Sequence, residues 1–119
     1  MRVPKFRAWE RALKEMIPVH NINFETKIIN ARGAWRTFDE IDLVEYTGVK
    51  DMKGVEICEG DILYCPEYKD RINNRIVKFE HGQFIGVLNN GYSKPVNQLT
   101  WDMEVIGNIY ENPNLFDQN

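Results

Sequence analysis

Residues 46–63, YTGVKDMKGVEICEGDIL, decide the fold that we expect for this chain. The stretch predicts a strand, a tight turn and a second strand, because apolar β-formers are interrupted at Gly48, at Lys50-Asp51 and at Lys53-Gly54. These residue types tolerate or promote the backbone angles of a reversal.

A second stretch, residues 104–113 with the sequence EVIGNIYENP, predicts a closing strand far downstream. Both stretches are architectural, and neither carries a catalytic motif.

Short strands and turns continue after residue 57. We expect strands at residues 57–65, 75–80, 83–88, 92–94 and 104–110, a polar loop at 66–74 and a single helical turn at 95–99. The dipeptide His81-Gly82 predicts the tight turn of a hairpin, since its glycine can take positive φ. Connections this short leave no room for parallel crossovers. The pattern therefore favours a mainly β protein with a small antiparallel SH3-like barrel over about residues 55–112.

The residues before this barrel predict an N-terminal β arm or subdomain. Residues 5–10 read as an edge strand that begins after Pro4 and continues through a hairpin into a second short strand. Residues 21–30 alternate apolar with polar side chains and predict one half-buried strand. Thr37 or Asp39 is expected to cap a brief helical turn before a strand at 43–46. We expect residues 1–54 to pack on residues 55–119, which hold the barrel and the C-terminal tail, as one folding unit.

Composition limits the classes of function. The formal charge of −3 and the pI of about 5.4 provide no global positive field for polyanions. Cys58 and Cys65 are seven positions apart, roughly 23 Å along one extended strand, and are predicted to be buried thiols in a reducing compartment. The charged N-terminus does not resemble a signal peptide, and no window approaches the ~20 apolar residues of a membrane span. A soluble protein of the bacterial cytoplasm, without membrane contact, is expected.

Four motifs together resemble the YopX family of small bacteriophage and prophage proteins. They are residues 5–9 (KFRAW), residues 46–51 (YTGVKD) with Gly54 and Glu56-Ile57, residues 59–62 (EGDI), and residues 104–113. Their order along nearly the whole chain carries the resemblance. It implies a mostly β fold with an SH3-like C-terminal part in a phage context. It implies no activity and no catalytic or binding residue.

Candidate catalytic and metal-binding groups are sparse. Glu59 and Asp61 lie two apart and share a face of an extended chain, but an Asp beside a turn glycine is more typical of a carboxylate that accepts backbone N–H bonds. The histidines are His20 and His81, and their spacing to the two cysteines does not match a zinc site. We therefore expect no cofactor, no metal and no enzymatic activity.

Two kinds of binding remain. The chain has three tryptophans, and the residues predicted to be exposed contacts for a partner protein are Trp9, Trp35 and Tyr68. A basic loop interleaved with aromatics offers the alternative of nucleic-acid binding, through Lys69, Arg71, Arg75 and Lys78. We favour a protein-interaction or assembly module that binds an unknown host or phage protein or a second copy of itself. Nucleic-acid binding is the alternative, and an enzyme is disfavoured.

Overall fold

The computed structural model describes residues 4–67 and 73–115. Within these ranges the protein is mainly β, and all strand pairs are antiparallel. The strands are β1 (Phe6–Glu10), β2 (Glu15–Pro18), β3 (Asn21–Asn23), β4 (Ile28–Ala31), β5 (Ala34–Thr37), β6 (Ile41–Lys50), β7 (Glu56–Cys58), β8 (Asp61–Tyr64), β9 (Arg75–Glu80), β10 (Gln83–Val87), β11 (Ser93–Pro95) and β12 (Glu104–Asn108). One-turn 3₁₀ helices lie at Phe38–Glu40, Val96–Gln98 and Pro113–Leu115.

The chain divides into two compact units, residues 1–45 and 46–119, and the division falls inside β6. Residues of β6 up to Glu45 pair with β1, and those from Tyr46 onward pair with β7. The division after residue 54 stays a prediction. No helix among the described residues has both the length and the apolar character needed to cross a membrane.

In the N-terminal unit, β1 is a central strand and not the predicted edge strand. It pairs with β2 on one side and with β6 on the other, so that Ala8 lies opposite both Ile17 and Leu43. Pro4 precedes the strand and therefore removes no hydrogen bond from either ladder. The core of this unit is small and aliphatic, and its buried members are Ala8, Ile17, Ile29, Ala31 and Ile41. The predicted hairpin from β1 into β2 is confirmed.

The single strand predicted for residues 21–30 is wrong, because the chain turns in its middle. The side-chain oxygen of Asn23 accepts hydrogen bonds from the N–H groups of Glu25 and Thr26, at 3.0 and 2.9 Å. This is the local bonding by which asparagine initiates a turn. Lys27 completes the reversal with a φ of 59°. The stretch therefore forms two strands, β3 and β4, which pair with each other.

The helical turn predicted before residue 43 is confirmed, with Thr37 at its N-terminal cap. Glu40 reaches back to accept from the Thr37 N–H at 3.3 Å and from its hydroxyl at 3.2 Å. Both bonds run from Thr37 to the same Glu40 oxygen, and the first satisfies a backbone N–H at the start of the helical turn. The strand that follows is longer than predicted and runs over Ile41–Lys50.

The C-terminal unit contains the SH3-like part of the fold. Strands β8 to β12 form a five-stranded sheet in the order β11-β10-β9-β8-β12, so that the last strand pairs with the first. The sheet is a curled half-barrel. The buried hydrophobic core of the C-terminal unit consists of Ile57, Leu63, Cys65, Val77, Val96, Leu99 and Met103. Strand β12 covers the edge of β8, and β11 and β12 are then the two outer strands of the sheet.

The single strand predicted over residues 57–65 is also wrong. Gly60 has a φ of 86°, and the turn that it forms with Glu59 separates β7 from β8. Asp61 is 2% exposed, and its Oδ2 accepts the Cys58 N–H at 2.7 Å. The strand at 75–80, the turn at His81-Gly82 and the helical turn near residue 97 are confirmed.

Candidate interaction surface

Strands β3, β4 and β5 form a three-stranded sheet within the N-terminal unit, and its register decides which side chains share a face. Asn21 lies opposite Asn30, and Asn30 lies opposite Trp35. In the neighbouring row, Ile29 stands between Ile22 and Arg36. Directly opposed residues of an antiparallel pair point to the same side of the sheet, and successive rows alternate. Asn21, Asn30 and Trp35 therefore share one face, and Ile22, Ile29 and Arg36 share the other.

The face that carries Trp35 is open and uncharged. Trp35 is 63% exposed, Asn21 is exposed and Asn30 is half-buried. Both asparagine amides carry donors and acceptors, while the indole adds a large flat apolar area with one N–H donor. We call these three residues the tryptophan row. The row can form hydrogen bonds and bury an aromatic ring without removing a charge from water.

The opposite face holds the sheet in place through an ion pair. Arg36 donates from Nε to Glu10 Oε2 at 3.0 Å and from Nη1 to the carbonyl of Ala31 at 2.8 Å. The N–H of Ala12 donates to Glu10 Oε1 at 2.9 Å. The Ala12 N–H and then the Arg36 guanidinium hold the pKa of Glu10 below its ordinary value. Ile29 is fully buried beside this pair. The backbone that presents Trp35 is therefore well anchored.

A cleft of about 450 Å³ lies at the β3 side of the same unit. Its walls are largely apolar, with polar groups at a few positions; the lining residues are Pro4, Lys5, Phe6, Val19, His20, Asn21, Ile22 and Phe24. Phe24 is 61% exposed and makes edge-on contacts with Phe6 and Phe38, at ring-centroid distances of 6.2 and 6.0 Å. This volume falls within the range of protein pockets that receive small ligands. We call it the aromatic cleft.

The tryptophan row and the aromatic cleft adjoin through Asn21. Asn21 is the β3 member of the row and also lines the cleft. Neighbouring strands lie about 4.8 Å apart, so the backbone of Trp35 is roughly 10 Å from that of Asn21. An exposed tryptophan and an apolar cleft are thus close enough for one partner to contact both.

The predicted partner contacts differ in their placement. Trp35 is strongly exposed, whereas Trp9 is half-buried on β1, opposite Met16 and Asp42. Tyr68 lies outside the described residues. Trp101, which we did not predict as a contact, is 77% exposed. The roles of Trp9, Trp35 and Tyr68 in binding stay predictions, and the structure singles out Trp35 as the accessible one of the two that it describes.

The described part of the basic group does not form one patch. Arg75 and Lys78 both lie on β9, three residues apart, and an odd separation directs them to opposite faces of the sheet. Lys78 is exposed, while the half-buried Arg75 donates from Nη1 to the carbonyl of Gly86 at 2.7 Å. Lys69 and Arg71 lie outside the described residues.

The structure also shows the surroundings of the side chains that were considered as catalytic or metal-binding candidates. Asp61 is engaged by the Cys58 N–H, as described above, and Glu59 is half-buried. Cys58 and Cys65 are both buried and form no disulfide with each other, which agrees with the prediction of two buried thiols. Within residues 4–67 and 73–115, no three His, Cys, Asp or Glu side chains form a group that could hold a metal ion.

The aromatic cleft was not predicted from the sequence. The available signal was the interleaving of asparagines with isoleucines at residues 21–30, which we interpreted as one strand. An asparagine followed by Phe-Glu-Thr-Lys is also compatible with a turn, and that turn is what places Phe24 beside Phe6 and Phe38. The cleft therefore depends on a chain reversal that the alternating pattern of residues 21–30 did not reveal.

Comparison with known families identifies the chain. The family model described as YopX protein matches residues 5–117. The chain belongs to the YopX family. The resemblance found in the sequence motifs is thereby confirmed, and it extends over nearly the whole chain. The search of curated proteins found no match.

Two solved structures share the fold. Protein EF1440 from Enterococcus faecalis is 29% identical, with a TM-score of 0.75, over 98% of this chain and 100% of that one. The protein yopX from Bacillus subtilis is 18% identical, with a TM-score of 0.62, over 100% of this chain and 99% of that one. At that identity the second similarity supports the fold alone.

Proposed function

We propose that this YopX-family protein is a non-catalytic protein-binding module with an accessory or assembly role in a bacteriophage or prophage. Its contact surface is the tryptophan row together with the aromatic cleft. The observation that carries the proposal is the 63% exposure of Trp35 on the outward face of an anchored three-stranded sheet. The phage context rests on the family resemblance.

An exposed tryptophan at this position favours binding for an energetic reason. Tryptophan buries a large apolar area when it is covered and dominates the energetics of many protein interfaces. Phe24 places a second exposed aromatic ring at the adjoining cleft, with 61% exposure. Because the row contains no charged residue, covering it requires no ion to be desolvated.

The chemistry of the surface favours a protein as the partner. The apolar cleft is of a size to receive one or two apolar side chains, and the asparagine amides can bind a peptide backbone or polar side chains. The partner is a host or phage protein, or a second copy of this chain. Nucleic acid is the alternative, but Arg75 and Lys78 project to opposite faces, and the net charge of −3 opposes it.

The engagement of the candidate catalytic groups supports a non-catalytic role. Asp61 is committed to the Cys58 backbone, so the carboxylate pair with Glu59 is not poised for proton transfer. We also propose that the protein resides in the cytoplasm of the bacterial host. Cys58 and Cys65, buried and not joined in a disulfide, suit a reducing compartment.

The test compares two exposed tryptophans. Immobilised wild-type protein, Trp35→Ala and Trp101→Ala are incubated with lysate from phage-infected host cells, and bound proteins are identified by mass spectrometry. Trp101 is 77% exposed and lies in the C-terminal unit, which makes it a matched control. We expect Trp35→Ala to lose a partner that Trp101→Ala retains, with at least a tenfold fall in affinity on titration of that partner.

The outcomes separate the alternatives. If Trp35→Ala instead abolishes self-association measured by light scattering, the partner is a second copy. A partner set that is identical for wild type and Trp35→Ala would overturn the proposal. Binding to oligonucleotides that falls steeply with salt, and that is lost in an Arg71→Glu, Arg75→Glu double variant, would establish the nucleic-acid alternative instead.

A further inference from the structure

A separate cavity of about 240 Å³ lies in the C-terminal unit and brings together charged groups of both signs. Arg75, Lys94 and Asp102 supply the charges, and Asn73 adds an amide. Leu99 and Met103, each 4% exposed, also line it. The cavity is thus lined by charged and polar side chains and also borders the hydrophobic core through Leu99 and Met103. It shares no residue with the tryptophan row or the aromatic cleft.

Asp102 contributes a buried acceptor without a donor. Its Oδ1 is buried and accepts no hydrogen bond from the described residues. Burial lowers the pKa of Arg75 below its ordinary value, and the nearby charge of Asp102 opposes that shift. A buried carboxylate oxygen without a hydrogen bond is unfavourable, and a ligand that donates to it would recover that free energy.

Arg75 and Lys94 leave cationic donors available in the same cavity. The guanidinium of Arg75 carries five N–H donors, and one of them binds the carbonyl of Gly86 at 2.7 Å. That bond fixes the side chain while its other N–H groups make no hydrogen bond within the described part of the chain. Lys94, exposed on β11, forms no ion pair with any described residue. Two cations therefore face one anion.

We propose that this cavity binds a small acidic amino acid or a close analogue, in which carboxylates pair with Arg75 and Lys94 and the ammonium donates to Asp102. Two negative charges and one positive charge on the ligand complement the two positive charges and one negative charge of the cavity. Arginine suits the carboxylate because its planar fork can donate two parallel hydrogen bonds. The volume restricts the ligand to a small molecule, since the pockets that hold drug-sized ligands measure about 300–1,000 Å³.

The decisive experiment compares L-glutamate with glutarate, which has the same two carboxylates and lacks the ammonium. Each is titrated into the ¹⁵N-labelled full chain at low salt, and affinity is obtained from the backbone amide shifts. We expect saturable shifts that include Arg75, Leu99 and Met103. Glutarate should bind at least tenfold more weakly, because it removes the donor to Asp102 and leaves that charge unpaired.

Three variants assign the contacts. Lys94→Gln should weaken both probes severalfold, and Asp102→Asn should remove most of the difference between them. Lys78→Gln, an exposed lysine outside this cavity, should leave both affinities unchanged. The comparison of two probes on the wild-type protein requires no variant to fold.

Equal affinity of glutamate and glutarate for the wild-type protein would overturn the proposal, as would affinities insensitive to Lys94→Gln. The absence of any saturable shift at millimolar concentrations would do the same and would indicate that water alone occupies the cavity. None of these results bears on the tryptophan row, so failure here is distinguishable from failure of the proposed protein-binding function.

Discussion

The carboxylate of Asp51 accepts a hydrogen bond from the backbone N–H of Val105, which lies 54 residues further along the chain, at 2.8 Å. The other oxygen of Asp51 accepts the N–H groups of Lys53 and Val55, both at 2.8 Å. Asp51 itself is 6% exposed. One side chain therefore closes the turn between β6 and β7 and also attaches that turn to β12, an outer strand of the five-stranded sheet.

Removal of this carboxylate should destabilise the protein strongly. Asp51→Ala leaves three backbone N–H groups without their charged acceptor, and we expect a loss of about 3 kcal/mol in the free energy of unfolding. Asp51→Asn should cost about 1–2 kcal/mol, because its amide NH₂ group replaces one acceptor with a donor. Urea denaturation measures both values. The exposed Glu25→Gln is the control and should change stability by less than about 0.5 kcal/mol; an equally small effect of Asp51→Ala would contradict the assignment.

Stability should also fall at acid pH. Burial acts to raise the pKa of Asp51, but the N–H groups of Val105, Val55 and Lys53 outweigh it, and the pKa lies below the ordinary 3.8. The pKa of Glu10 likewise lies below 4.5, chiefly because of the Ala12 N–H and Arg36. Since the unfolded chain binds protons at higher pH than the folded one, the contribution of both groups is complete above about pH 6 and declines as the pH falls through 4.5 and below.

Thermal unfolding followed by circular dichroism from pH 7 to pH 3 tests this expectation. The melting temperature should be nearly constant down to about pH 5 and then fall. Asp51→Asn should show a shallower decline, because one of the two groups no longer titrates. A melting temperature that rises on acidification from pH 6 to pH 4 would show that the sign is wrong.

Gly60 should tolerate a side chain less well than Gly82. Both have positive φ, 86° and 81°, so alanine suffers a similar backbone strain at each position, about 1 kcal/mol. A Cβ at Gly60 would also lie 3.1 Å from Tyr110 Cε2, whereas a Cβ at Gly82 meets nothing within 4 Å. We expect Gly60→Ala to cost about 2–3 kcal/mol and Gly82→Ala about 1 kcal/mol in chemical denaturation. Equal losses of stability for the two variants would contradict this prediction, because they would mean that the crowding at Gly60 is relieved without a cost in free energy.

Trp35 should matter little for stability. Because its side chain is 63% exposed, Trp35→Ala should change the free energy of unfolding by no more than about 0.5 kcal/mol. Ile29 lies one row away on the opposite face of the same sheet and is fully buried, so Ile29→Ala should cost about 2–5 kcal/mol. A large destabilisation by Trp35→Ala would mean that the ring supports the fold and would weaken the case for a binding role.

Particular elements show how far sequence reasoning reached. The His81-Gly82 turn, the strand Arg75–Glu80 and a helical turn capped by Thr37 or Asp39 were all predicted, because each depends on residues within a few positions of one another. The strands predicted at 21–30 and 57–65 were each too long. In both cases a turn interrupts the alternating pattern, through Asn23 in the first and through Gly60 in the second.

The candidate surfaces were less accessible to sequence reasoning. Trp35 was predicted as a contact, but its neighbours Asn21 and Asn30 lie 14 and 5 positions away and join it only through strand register. The charged cavity of the C-terminal unit combines Arg75 on β9 with Lys94 on β11 and with Asp102 near β12. No spacing in the sequence marks these groups as a set.

The amino-acid sequence by itself determined the β class, the positions of most reversals and membership in the YopX family. These features follow from local backbone preferences, from side chains that bond to nearby N–H groups, and from motifs in a fixed order. Only the tertiary structure decided which face of each strand is covered, where Asp51 meets Val105, and which charges share a cavity. Such features depend on pairings between segments tens of residues apart, and those pairings are selected by the packing of the whole unit rather than by any short stretch of it.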